Sequence, residues 1–442
     1  MRILGYLVGT AVLFAVLAAQ AQTSTQSPDR IAYDAAFQDS LKNPSDPATV
    51  LRYAEAAVKV NDLEGAISAL ERLLLINGDQ PRVKLELGTL YYRLGSYEAA
   101  RAYFESARAS ARATQEVKQL SGEYLVAIDK RTGVSQFSGD VLAGIRYSTN
   151  ANNGPTGAIR AFGTSVIANP NFAQRPDFSA VAAANVHHRY DLGRQDSGTL
   201  ESNMAFYTSR QFQVSEANVL VLDLNTGPRM KPFGGWAEQI SVRPFIMGRY
   251  VAVDDMTSYW SWGAGAEASV PITSKLTGNI AVYGQQRQFV NNWLAPFNNE
   301  STGVEAATFF GLRAELLSNL WVNVGGNVVR YTAAVASQAY WEFGAGASAT
   351  VRFTDPIGIN GRPWEMTANA YVSNDNYDQP SIYIDPTTVR TQTDIGFGLA
   401  LSVPLDERFS LTAQAGYAQR AASISNYSYN AFTSLVGVGW RF

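Results

Sequence analysis

Cysteine is absent from all 442 residues, which removes disulfides, thiolate metal sites, cysteine nucleophiles and a lipid-bearing cysteine behind a leader. Histidine is almost absent. Only His187 and His188 occur, and as neighbours in an alternating stretch they point to opposite faces and share no metal. His188 lies near Ser202 across a turn, but without a surrounding motif a plain interfacial histidine is the stronger reading. Beyond the first twenty residues no apolar run approaches the ~20 residues of a spanning helix, so membrane insertion requires closed strands, which satisfy their backbone groups without helices. A net charge of -3 leaves no basic surplus for polyanions, and nucleic acid is not an expected partner. Gly263-Ala264-Gly265 falls inside a strand and does not make a phosphate cradle. Asp375, Asp378 and Asp385 lack the glycine and bidentate glutamate of a calcium loop and read as solvated turn residues. No catalytic residue, cofactor or metal is expected, and the chain does not read as an enzyme.

What is present divides the chain. Arg2, the apolar stretch Ile3 to Ala18 and Ala19-Gln20-Ala21 make a signal peptide over 1–21. A polar linker follows over 22–29. From 30 to 131 the period is helical: Leu87-Gly88, Tyr91, Gly95, Ala100, Phe104 and Ala107 fall at the packing positions of a ~34-residue helix pair, and Tyr53-Ala54, Leu63, Ala66, Leu70 and Leu73 repeat the scheme one period earlier. The pattern resembles the tetratricopeptide repeat. Because about three such units are usually needed for stability, 30–42 and 116–128 are expected to be capping helices.

From 136 to 442 the period becomes two. Fourteen alternating runs are expected, near 136–149, 177–192, 199–211, 214–226, 239–252, 257–271, 275–290, 303–316, 320–333, 339–354, 364–374, 391–404, 408–421 and 429–442. Ile395, Phe397, Leu399, Leu401 and Val403 alternate with Gly396, Gly398, Ala400 and Ser402, as one lipid-facing and one lumen-facing side require. Short connections such as Ile272-Thr273-Ser274 belong on the periplasmic side, and long ones such as Asn150 to Pro176 outside. Phe137, Tyr190, Trp321, Phe353, Trp364, Phe409 and Trp440 are expected in the inner aromatic girdle, and Tyr147, Tyr250, Trp260, Trp262, Tyr331, Trp341 and Phe432 in the outer one. Trp440 and Phe442 end an alternating strand in a way that resembles the signal read by barrel assembly machinery in bacterial outer membranes. The expected fold is α plus transmembrane β: a short tetratricopeptide domain, then a 14-stranded antiparallel outer-membrane β-barrel.

This order of parts resembles the surface lipoprotein assembly modifier family. The junction shares the likeness, with Tyr124-Leu125-Val126-Ala127-Ile128-Asp129-Lys130-Arg131, Phe137-Ser138-Gly139 and Gly144-Ile145-Arg146-Tyr147-Ser148. The resemblance implies a helical domain in the periplasm that captures a client protein, a lipoprotein in many members, and a barrel in the outer-membrane lipid that exports or displays it. A polysaccharide export channel and a passive porin stay open as alternatives, and the oligomeric state is open. Glu55, Lys59, Arg82, Tyr92 and Arg93 are the candidate client groove, from where repeat families place it. Lumen parity carries Arg146, Arg189, Glu267, Arg313, Glu315, Glu342, Arg352 and Arg441, read first as a lattice of ion pairs and second as a selectivity device.

Overall fold

The computed structural model describes residues 28–166, 173–193, 198–293 and 295–442, in two units that divide between Gly133 and Val134. The expected signal peptide and most of the linker lie outside the described residues; the linker's last two positions already belong to the first helix.

Among the described residues, six helices form the first unit: α1 Pro28–Lys42, α2 Pro47–Lys59, α3 Leu63–Ile76, α4 Pro81–Arg93, α5 Tyr97–Ala109 and α6 Gln115–Thr132. Their ends are written locally. Asp46 accepts from the Ala48 and Thr49 amides at 3.3 and 3.2 Å, ahead of Pro47, whose missing N–H costs nothing in a first turn. Asp62 accepts from the Gly65 amide at 3.0 Å and so caps α3. Gly95, at φ 75°, turns α4 into α5. Val50, Tyr53, Ala57, Ala66, Leu70, Leu73, Leu87 and Leu90 bury one core; Ala100, Phe104, Ala107, Leu125 and Ile128 bury a second. Gly88 is small because Phe104 lies on it: a Cβ there would sit 2.6 Å from the ring. The two expected helix pairs and both caps are therefore present.

The second unit is a closed barrel. Its strands are β1 Ser135–Ser148, β4 Asp177–Asp191, β5 Thr199–Gln211, β6 Val219–Arg229, β7 Ser241–Val253, β8 Met256–Thr273, β9 Leu276–Phe289, β10 Gly303–Leu317, β11 Leu320–Tyr331, β12 Tyr340–Phe353, β13 Trp364–Tyr377, β14 Thr391–Pro404, β15 Phe409–Ala422 and β16 Tyr429–Arg441. A small hairpin, β2 Ile159–Ala161 and β3 Thr164–Val166, stands in the first connection. Neighbours follow chain order, and β16 closes on β1 through nine facing pairs from Asp140↔Arg441 to Ser148↔Thr433. Gly139 and Phe442 extend that seam by exchanging backbone bonds at 3.1 Å. Closure removes the free edges that an open sheet would present.

Ile246, Trp262, Val324, Phe397 and Val436 stand more than half exposed on the outer parity, an apolar belt that water would not favour and lipid would. Two girdle assignments are corrected. Tyr331 faces Glu305 and Trp321 faces Glu315 in the ladder, which is the inner parity. Tyr331 is 3% exposed and donates to the Ser301 carbonyl, and Trp321 lies under the Arg352 guanidinium at 5.1 Å. The fourth barrel strand also starts later than expected, at Val219 and not 214. Buried Asp177 accepts from the Gln213 and Val214 amides at 2.8 Å each, and a short turn over Ser215–Ala217 follows.

Candidate functional site

Of the five groove candidates, Glu55, Lys59, Arg82 and Arg93 are exposed on α2 and α4. Tyr92 is half-buried instead, set edge-on to Tyr97 and Tyr124 at 5.6 and 5.3 Å, so its ring holds helices together. The face has a member that the repeat pattern did not single out. Burial pushes the Glu86 carboxyl up from the ordinary range, Arg82 and Arg93 pull it down, and Glu55 pushes it up again. Glu55, Arg82, Glu86 and Arg93 thus share one electrostatic neighbourhood across two helices. The signal was available, since Glu86 stands one helical turn after Arg82. Elsewhere in the array, Tyr91 of α4 and Tyr103 of α5 stack at 5.5 Å and both donate to Oε1 of Glu71 on α3, at 2.7 and 3.1 Å. The bond to Glu71 and burial push the Tyr91 hydroxyl up to about 12.

In the barrel, inner-parity side chains join strands that are not neighbours. Arg146 of β1 donates to Tyr207 and Ser209 of β5 at 2.8 Å each, past β4. Glu267 accepts from Arg229 and from Arg243, the latter at 3.0 Å. Glu342 accepts from Asn327 at 2.7 Å, and Arg352 pairs with Glu365 at 3.2 Å. Arg189 faces Glu201 in the ladder, but Glu201 holds Arg229 at 2.9 Å. Arg441 faces Asp140. Glu315 faces Trp321, and Arg313 lines an inner recess of about 410 Å³ with Asn323, Asn369 and Tyr371. Trp440 and Phe442 pack against each other at 4.7 Å. Sequence reading missed the densest part of the lattice: Arg229, Arg243, Arg249 with Asp223, and Arg287 with Glu305. Period two marks all of them as inner-facing. Pairing of this kind makes the paired arginines wall material, whereas Arg146, Arg189, Arg313 and Arg441 are inner-facing cations with no carboxylate at ion-pair distance among the described residues.

His187 bonds Asn203 at 2.7 Å. His188 bonds Ser135 at 2.9 Å and stacks on Phe137, while Ser202 shares its hydrogen bond with Thr226, so His188 and Ser202 do not pair. Asp375, Asp378 and Asp385 do not converge: they bond Gln392, Arg330 and Arg160, respectively.

The connections opposite the chain's point of arrival at β1 fold together. Phe162 and Gly163, the left-handed tip of the β2–β3 hairpin, donate to the Tyr383 and Ile384 carbonyls at 3.0 and 2.9 Å. The Arg160 amide donates to Asn426 at 2.7 Å, and its guanidinium pairs with fully buried Asp385. Tyr383 stacks on Phe297 of the β9–β10 connection at 6.0 Å. Connections rooted almost across the ring from one another thereby meet over the mouth.

The model of the tetratricopeptide repeat matches residues 57–124. A search of curated proteins gives no match. Among solved structures, the barrel is similar to OmpT, an outer membrane protein of Vibrio cholerae in its trimer form, at 9% identity over 70% of this chain and 99% of that one, with a TM-score of 0.39. It is similar also to the outer membrane protein opdK of Pseudomonas aeruginosa, at 8% identity over 70% and 99%, with a TM-score of 0.35. The helical unit is similar to the Yersinia enterocolitica type III secretion chaperone SycD, solved with a peptide of the translocator YopD, at 15% identity over 23% and 92%, with a TM-score of 0.19. The chain thus joins a tetratricopeptide array to a fourteen-stranded closed barrel of outer-membrane type.

Proposed function

We propose that this chain is an outer-membrane translocation or assembly factor that captures a client protein in the periplasm through its helical unit and exports or displays it through the barrel. The observation that supports this best is the direct continuity, at Gly133 and Val134, of a repeat array with a mixed-charge face and a closed barrel with an apolar outside. The chain arrives at β1 from the end of the barrel where β8–β9 and β10–β11 are joined by two-residue turns. Short turns are typical of the periplasmic side, and although β7–β8 at the other end is equally short, the longest connection, between β1 and β4, also lies at that other end, which supports a periplasmic place for the helices. Under the resemblance to surface lipoprotein assembly modifiers the client is a lipoprotein, and no covalent chemistry by this chain is required. Glu86, its charge already disfavoured by burial, is the position that a basic residue of the client would relieve. Deleting the chain is expected to remove one or a few proteins from the cell surface while their total amounts hold, read by surface proteomics; an unchanged surface proteome overturns the reading.

A second reading, passage of a neutral polysaccharide, draws on one feature. Tyr283 and Phe309 stack at 5.8 Å on the inner parity, close to Asn279, and Tyr371, Asn369 and Asn323 line the adjoining recess, side chains suited to sugar rings and hydroxyls. Loss of surface polysaccharide with an intact surface proteome would select it.

A further inference from the structure

The barrel wall is interrupted between β6 and β7. Met230 and Val242 exchange both backbone bonds at 2.9 Å as an isolated bridge, and the continuous ladder begins only at Thr226↔Ile246. An antiparallel ladder bonds every second facing pair, so the pair due to exchange bonds between these points is Pro228 with Pro244. Neither has an N–H to give. Two bonds are chemically impossible, and residues 227–229 stand unpaired against 243–245. The strands themselves are not frayed: β6 pairs with β5 as far as Thr199↔Arg229, and β7 pairs with β8 from Ser241↔Ser269. Proline inside a sheet is confined to edges and bulges, and a closed barrel has no edge. Two facing prolines therefore build a stretch of edge into a wall that otherwise has none. Contact across it is kept by Gly227, where any Cβ would strike the Pro244 carbonyl.

Side chains do on the inner face what the backbone cannot. Arg229 holds Glu201 of β5 at 2.9 Å and reaches across β7 to Glu267 of β8. Arg243, 4% exposed, holds Glu267 at 3.0 and 3.3 Å and Asn225 of β6 at 2.9 Å. Two arginines and two glutamates thus staple four strands at the level of the prolines. Outside, Pro228 and Pro244 lie on the lipid-facing parity beside a groove of about 590 Å³ lined by Val186, Met204, Leu224 and Ile246.

We propose that the β6–β7 junction is a lateral portal between the barrel interior and the bilayer for a single lipid acyl chain, latched by the Arg229–Glu201–Glu267–Arg243 staple. Three residue pairs are about 10 Å of strand, room for an alkyl chain and less than the 10–12 Å diameter of a helix with its side chains. The apolar groove outside suits the same occupant. The portal rests on the barrel standing in a bilayer, as proposed above, and not on what the helical unit captures.

The test uses the full chain in phosphatidylcholine vesicles whose acyl chains carry doxyl quenchers. Ala205→Cys, on the inner parity of β5, becomes the sole thiol and carries a fluorophore. Opening the staple with Glu201→Gln and Glu267→Gln is expected to raise quenching at least threefold, and adding Pro228→Val with Pro244→Val, which restores both donors, to return it to the starting level. Asp394→Asn, at the unbroken β14–β15 ladder, is expected to leave quenching unchanged. Unchanged quenching in staple variants that still migrate as heat-modifiable barrels overturns the portal, as does a rise that the valines fail to reverse. Should the staple variants not insert, the valine pair alone decides: it is expected to raise the thermal midpoint of the otherwise unaltered barrel by several degrees, and an unmoved midpoint overturns the proposal. Failure of the unaltered chain to insert would overturn the membrane reading itself, which migration reports separately.

Discussion

Ionising Glu86 in the folded chain carries a cost. Its carboxyl is raised in the folded chain by burial and by Glu55, so the stability linked to its protonation is complete below the ordinary glutamate range and is lost as pH rises through the raised value. Glu86→Gln is therefore expected to stabilise the helical unit at pH 7, with the gain shrinking toward pH 4, as read by circular dichroism melts at 222 nm. Under the proposed function the same change is expected to weaken client capture, because it removes the charge a basic client would meet. Phe104 is the opposite case, fully buried against Gly88. Phe104→Ala is expected to cost about 3–5 kcal/mol, measured by urea unfolding of the full chain in detergent. Phe104 and Gly88 were legible in the sequence because a repeat writes its packing residues at fixed spacing. For Glu86 the sequence offered only its place one turn after Arg82, and a one-turn charge pair reads as a solvated surface until burial is known.

Elements were legible where their own period decided them, and less so where a neighbour intervened. Strand parity put the lumen charges it named on the inner face, without finding the densest cluster, and placed most of the girdle, whereas β6 began late because Asp177, more than thirty residues earlier, takes the Gln213 and Val214 amides for a turn. Pro228 and Pro244 are plain in the sequence. Their facing each other is a matter of register, which the connection over 230–240 leaves free. The β2–β3 hairpin makes its own prediction. Asp385 accepts from Thr387 Oγ1 at 2.7 Å and from the Thr387 and Thr388 amides at 3.0 and 3.2 Å, and pairs with Arg160; the Thr387 hydroxyl and amide bonds, then Arg160, hold its carboxyl well below the usual range. A depressed value means that docking is at full strength above the unfolded aspartate value of about 4 and is lost only as pH falls through the lower folded one. Asp385→Asn is expected to free the hairpin at neutral pH, read as faster amide exchange at Phe162 and Gly163 with the barrel ladder unaffected.

At the scale of the molecule, the division into helices and strands followed from a change of period, 3.6 to two, that any window of a dozen residues displays. The interior was harder to read, because parity tells which way a side chain points and not which partner it finds across a ring. Each unit has its own core or ladder, so removing residues 28–132 is expected to leave a heat-modifiable barrel while abolishing the proposed surface display of a client; a client still displayed would locate capture elsewhere. In the orientation proposed above, the connections that meet through Phe162, Tyr383, Asn426 and Phe297 have a consequence for recognition from outside the cell. Four stretches far apart in the chain form one patch, so antibodies raised against any single loop peptide should bind intact cells poorly, whereas antibodies raised against the folded barrel should recognise a discontinuous epitope that Asp385→Asn erases.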